Sequence, residues 1–63
     1  MELTDAEIYE KHADELIRFA TGIVGPNDAA DVLSTAVLNA MSSPKWSGVK
    51  NKRAYLYLSL IHI

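Results

Sequence analysis

His12 and His62 are the residues best suited to proton or metal chemistry, and each stands alone. They lie fifty positions apart, and no second ligand sits at metal-site spacing from either. Cysteine is absent, which removes disulfides and thiolate centres. There is no glycine-rich phosphate loop and no nucleophile paired with a base at a recognisable spacing. The residues therefore point to a non-enzyme with no catalytic residue, no metal and no cofactor. His12 falls on the apolar side of a helical pattern. It reads as a packing or hydrogen-bonded histidine rather than a titrating switch.

The remaining chemistry is charge and one indole. All eight acids (Glu2, Asp5, Glu7, Glu10, Asp14, Glu15, Asp28, Asp31) fall within residues 1–31, against Lys11 and Arg18, a balance of −6. Residues 32–63 carry Lys45, Lys50, Lys52 and Arg53 and no acid, a balance of +4. Such an asymmetry suits either two solvated helix faces or two different partners, and by itself supports a partner only weakly. Lys45-Trp46-Ser47-Gly48-Val49-Lys50 is a basic stretch around the chain's one tryptophan. Lysine and arginine there suit phosphates, and the indole suits either base stacking or packing over a core.

Three helices are expected to position these groups. Thr4-Asp5-Ala6-Glu7 fits a capping box. Ile8, His12, Leu16, Phe19 and Ile23 then recur at three- and four-residue spacing, widened by Ala13, Ala20 and Val24. Gly25-Pro26 stops this helix. Asn27 or Asp28 caps a second helix whose inner stripe is Ala29, Val32, Leu33, Ala36, Val37, Ala40 and Met41. Leu38 lies off that stripe, an apolar residue where solvent is expected. Ser42-Ser43-Pro44 ends the helix, and Asn51 caps a third with Ala54, Tyr55, Leu58 and Ile61 as its inner face. Helices are expected near residues 5–23, 28–42 and 51–62, forming an all-α three-helix bundle. At 63 residues this is one small domain. A chain so short buries only about 60% of its unfolded surface and is marginal without a staple. The 49% apolar content is enough for a core. No apolar run approaches a membrane span, and the acidic opening Met-Glu-Leu-Thr-Asp is not a signal peptide, so a cytoplasmic location with no membrane partner is expected.

The segment Asn27 to Met41 resembles the second helix of sigma-70 region 2, above all in extracytoplasmic-function sigma factors. Their pattern runs D-A-E-D, two hydrophobic residues, Q-E-x-F-L-x, a hydrophobic residue and W. Asp28, Ala29, Asp31, Val32, Leu33, Leu38 and Met41 fit it. Tyr9 followed by Leu16-Ile17-Arg18-Phe19-Ala20 is similar to the family's opening tyrosine and L-x-R-F-A. Gly25-Pro26-Asn27-Asp28 matches its glycine–proline–acid connection, Trp46-Ser47-Gly48 lies where the family has aromatic-x-glycine, and Arg53 to Tyr57 resembles its A-W-L-Y segment with Tyr55 in place of the tryptophan. The resemblance spans about residues 8–57 and rests on the order and spacing of motifs that are individually weak.

The resemblance implies a fragment of sigma factor region 2 that directs RNA polymerase to promoters. The exposed face of the second helix would bind the β′ clamp helices of the polymerase core through Asp28, Asp31, Ser34, Thr35, Leu38 and Asn39. Here Ala30 replaces the usual Glu, Ser34 the usual Gln and Thr35 the usual acid, which implies a weaker or differently tuned contact. Asp28 and Asp31 could instead serve only the helix dipole. Leu38 argues for an interface, because an exposed leucine on an acidic face suits a contact core. The basic loop would approach the −10 element of promoter DNA through Lys45, Trp46, Lys50, Lys52, Arg53 and Tyr55. Trp46 and Tyr55 remain divided between stacking on a base and packing in the core. An anti-sigma factor is a further partner that the family implies. Two other readings are a helical protein-interaction domain and a helix-turn-helix DNA-binding module. The second is disfavoured because the second helix starts acidic, where a recognition helix would meet phosphates.

Leu58-Ser59-Leu60-Ile61-His62-Ile63 is a separate matter. The mosaic-end string CTGTCTCTTATACACATCT of transposase-based sequencing libraries translates in frame as these six residues. They are expected to derive from adaptor sequence rather than from the gene, with an ordinary apolar helix end as the alternative. On this expectation residues 1–57 are the region 2 part, and the rest of the −10-reading helix, a linker and a second DNA-binding domain lie outside the chain. Leu58 and Ile61 should then fall near the inner face, and Leu60 and Ile63 should be partly exposed.

Overall fold

The computed structural model describes residues 3–62. It is all-helical: α1 (Asp5–Val24), α2 (Ala29–Ser42) and α3 (Lys52–Ile61), with a 3₁₀ turn at Trp46–Gly48 before α3. Among the described residues no helix is long and apolar enough to cross a membrane.

The start of α1 is the expected capping box. Thr4 Oγ1 accepts from the Glu7 amide at 3.2 Å, and the Thr4 amide donates to Glu7 Oε1 at 3.0 Å. These bonds satisfy two groups at the helix end reciprocally, and they hold the Glu7 carboxyl below its usual range. Gly25 ends α1 at φ 86°, a left-handed conformation that glycine adopts without Cβ strain, and its amide donates to the Thr21 carbonyl at 2.9 Å. Asp28 does stand at the N-cap of α2, but its side chain makes no capping bond. Its backbone is already near-helical, at φ −102° and ψ −11°. That conformation differs from the extended one in which an N-cap side chain reaches the first free amides. Asn51 does cap α3, accepting from the Ala54 amide at 3.0 Å.

α2 packs against both α1 and α3, and α1 meets α3 along a narrower seam. The core is Ile8, Leu16 and Ala20 of α1, Ala29, Leu33, Ala36 and Ala40 of α2, Trp46, and Leu56 and Leu60 of α3. The alanines let the backbones approach closely but bury little area each, so the few large side chains carry most of the burial.

Two expectations about the core are corrected. Ile23 is 51% exposed. The inner line of α1 runs through Ile8, Leu16, Ala20 and Val24, and Phe19 and Ile23 flank it. Phe19 is covered edge-on by Tyr57, with ring centroids 4.9 Å apart; Ile23, one turn later, is at the rim. The phase of α3 also differs. Leu58 and Ile61 are exposed, at 53% and 57%, while Leu56 and Leu60 are buried. The two tyrosines set that phase: Tyr55 turns towards Trp46 and Tyr57 towards α1, leaving Leu56 between them to face the core. Ser59 is tolerated half-buried because its hydroxyl donates to the Tyr55 carbonyl at 3.0 Å. Ile63 lies outside the described residues.

Candidate functional site

Burial of Ala29, Leu33, Ala36 and Ala40 turns the opposite side of α2 to solvent. Asp28, Asp31, Ser34, Thr35, Leu38 and Asn39 are all exposed on it. Leu38 is the most exposed large apolar residue among those described, at 67%. Beside it runs an open groove of about 460 Å³ between the first turns of α1 and the second half of α2. Ala6, Tyr9, Val37, Leu38 and Met41 give it an apolar lining, with Asp5 and Ser34 at its edge. The arrangement offers an apolar slot beside an acidic and hydroxyl-bearing face, which suits a helix or loop that carries its own cations.

The basic residues gather at the opposite approach to α3. A wide concavity of about 870 Å³ is bordered by His12, Ser47, Lys50, Lys52 and Arg53 over an apolar floor that includes Ile8. No carboxylate lines it among the described residues. The cations differ in availability. The side chains of Lys45 and Lys50 are exposed and have no partner among the described residues. Lys52 turns inward: its Nζ donates to the Val49 carbonyl at 2.8 Å and lies 5.2 Å from the Trp46 ring centroid.

Trp46 takes the packing alternative. It is 6% exposed, and its Nε1 donates to Asp5 Oδ1 at 2.9 Å. Tyr55, half-buried, meets it edge-on with ring centroids 5.9 Å apart. The 3₁₀ turn that presents the indole is closed by amide bonds from Gly48 to Lys45 and from Val49 to Trp46. The Trp46 ring therefore offers no free face on which a base could stack.

Glu15 lies on α1 off the apolar stripe, and periodicity alone gives it no role. It gathers three partners. Arg53 donates to both carboxylate oxygens at 2.8 Å, the Tyr57 hydroxyl donates at 3.1 Å, and His12 Nδ1 stands 2.8 Å from Oε1. The one available sequence signal was His12 three residues earlier on the same helix face. The Arg53 hydrogen bonds pull the Glu15 carboxyl from 4.5 to about 2; partial burial opposes this, and the His12 and Tyr57 bonds add to the lowering. Burial, then the nearby carboxylate, raises the Tyr57 hydroxyl, and the Glu15 carboxylate raises Arg53. The sign for stability follows from the depressed value. Glu15 contributes fully above its ordinary 4.5, and the contribution is lost as the pH falls towards about 2. Melting temperature should therefore drop across that window more steeply in the native chain than in Glu15→Gln, which lacks the titrating group. Parallel slopes in thermal melts at successive pH values would remove Glu15 as a stabilising centre.

Among the described residues, no three His, Cys, Asp or Glu side chains converge as a metal set requires. The structure thus brings the acidic α2 face together with an apolar groove, and the cations Lys50, Lys52 and Arg53 around one concavity. No family model, curated protein or solved structure matches this chain.

Proposed function

We propose that this chain is part of a sigma-70 region 2 of the extracytoplasmic-function type, a non-enzymatic module that docks on the β′ clamp helices of RNA polymerase and meets promoter DNA at its −10 element. Leu38 carries the reading. It is 67% exposed on α2, in register with exposed Asp31, Ser34 and Thr35 and beside the groove of Tyr9, Val37 and Met41. An isolated surface leucine needs no explanation. A leucine flanked by an apolar slot and a polar rim has the anatomy of a contact core. The order of the helix-one, connection and helix-two motifs supports the same reading. On the nucleic-acid side, Lys45 and Lys50 are the available phosphate contacts, with Lys52 and Arg53 at the rim and Trp46 and Tyr55 holding the loop in shape.

Binding to a β′ clamp-helix fragment tests the reading. Leu38→Glu places a charge in the contact core and should weaken binding by about 2 kcal/mol or more. Asp31→Arg should also weaken binding, mainly through slower association. Both variants should keep their helical circular dichroism, because neither position is buried. Unaltered affinity in both would remove this docking face. Loss of binding to other helical ligands as well would favour a general protein-interaction domain.

A further inference from the structure

Four cations serve the basic half of the chain, and the strongest phosphate ligand among them is already occupied. Arginine's planar fork suits bidentate recognition of carboxylate and phosphate alike. In Arg53 both bonds of that fork go to Glu15, Nε to Oε1 and an Nη to Oε2, each at 2.8 Å. The guanidinium also lies over Tyr57, 5.0 Å from the ring centroid. Yet Arg53 is not buried: its side chain is 52% exposed, and it borders the carboxylate-free concavity with Lys50 and Lys52. Arg53 thus stands at the edge of the concavity while its fork is held by Glu15.

We propose that Glu15 is an internal competitor for Arg53, a carboxylate that occupies the guanidinium until the phosphate of a single-stranded nucleic acid displaces it. The proposal rests on the nucleic-acid reading above and adds a regulatory contact to it. Glu15 is suited to the role because it keeps partners when Arg53 leaves. The Tyr57 hydroxyl and His12 still meet its two oxygens, so release does not strand a bare carboxylate. Arg53 on release gains a multivalent polyanion in place of one carboxylate. The pair thus lowers affinity for incidental anions while leaving strong binding to a strand that also engages Lys45 and Lys50.

The test uses the 63-residue chain and a short, fluorescein-labelled, A/T-rich single-stranded oligodeoxynucleotide, followed by anisotropy at fixed low salt. Glu15→Gln should tighten binding roughly three- to fivefold, the scale of one exposed ion pair. Glu10→Gln makes the same change in charge at an exposed position of α1 and should have little effect. Arg53→Ala in the Glu15→Gln background should abolish the gain. An equal gain in Glu10→Gln would reduce the effect to net charge and overturn the proposal. So would unchanged affinity in Glu15→Gln together with a lower melting temperature, which would make the pair a structural tie only. If Lys50→Ala weakens binding while Glu15→Gln changes nothing, the nucleic-acid reading stands and the competitor falls. If no form binds the strand, both fall. Should Glu15→Gln fail to fold, the native chain still decides. Carboxyl-carbon NMR should show the Glu15 titration midpoint rising when saturating oligonucleotide is added, because Arg53 has left it. An unmoved midpoint overturns the proposal.

Discussion

Trp46→Ala should unfold a large fraction of the protein at room temperature. The indole is 6% exposed, and its removal leaves a large cavity where the loop, the start of α1 and the start of α3 meet. Truncating a buried tryptophan to alanine costs about 3–5 kcal/mol. Natural domains hold about 0.05–0.15 kcal/mol per residue, so a chain this short has roughly 3–9 kcal/mol to lose. The substitution also removes the Nε1 donor that Asp5 accepts from and the ring that Lys52 sits over. Trp46→Phe should be milder. It keeps an aromatic ring against Tyr55 and forfeits the bond to Asp5, a loss of about 1 kcal/mol plus the smaller ring area. Far-ultraviolet circular dichroism melts check both. An unchanged melt in Trp46→Ala would contradict its place in the core.

Leu56→Ala and Leu58→Ala should differ by several kcal/mol although they stand two residues apart on one helix. Leu56 is 1% exposed and packs between the helices, and its truncation costs about 2–5 kcal/mol. Leu58 is 53% exposed, and its truncation should stay within about 0.5 kcal/mol. Denaturant titrations give both values on one scale. Equal losses would mean that α3 is rotated from the phase described above.

That pair marks where the sequence stops being legible. α1 and α2 alternate apolar and polar residues, so periodicity placed their inner faces well, and Thr4, Gly25 and Asn51 announced ends that local chemistry alone decides. From Ala54 to Ile61 only Ser59 is not hydrophobic or aromatic. A run so uniformly apolar fits several rotations equally, and spacing cannot choose among them. The choice was made by tertiary partners, Phe19 and Glu15 for Tyr57 and Trp46 for Tyr55. The same limit hid the Glu15 centre, since Arg53 and Tyr57 arrive from 38 and 42 positions away. Leu38 was legible for the opposite reason: on a well-patterned helix, one apolar residue out of phase is conspicuous. Ile23 was in phase with the stripe and still exposed, because a periodic pattern does not say where the covering helix ends.

The bond between Trp46 and Asp5 joins positions 41 residues apart and so encloses most of the chain. Contacts between α1 and α2 need only a short connection and form at little loop-closure cost. Seating the indole closes a far longer loop, drawing the segment before α3 onto the first turn of α1 and onto Tyr55. Since the chain has no other tryptophan, its emission reports that one closure, while helicity reports the helices. Because small domains unfold as a unit, both signals should change at one midpoint, and two separate midpoints would make the loop a latch that opens by itself.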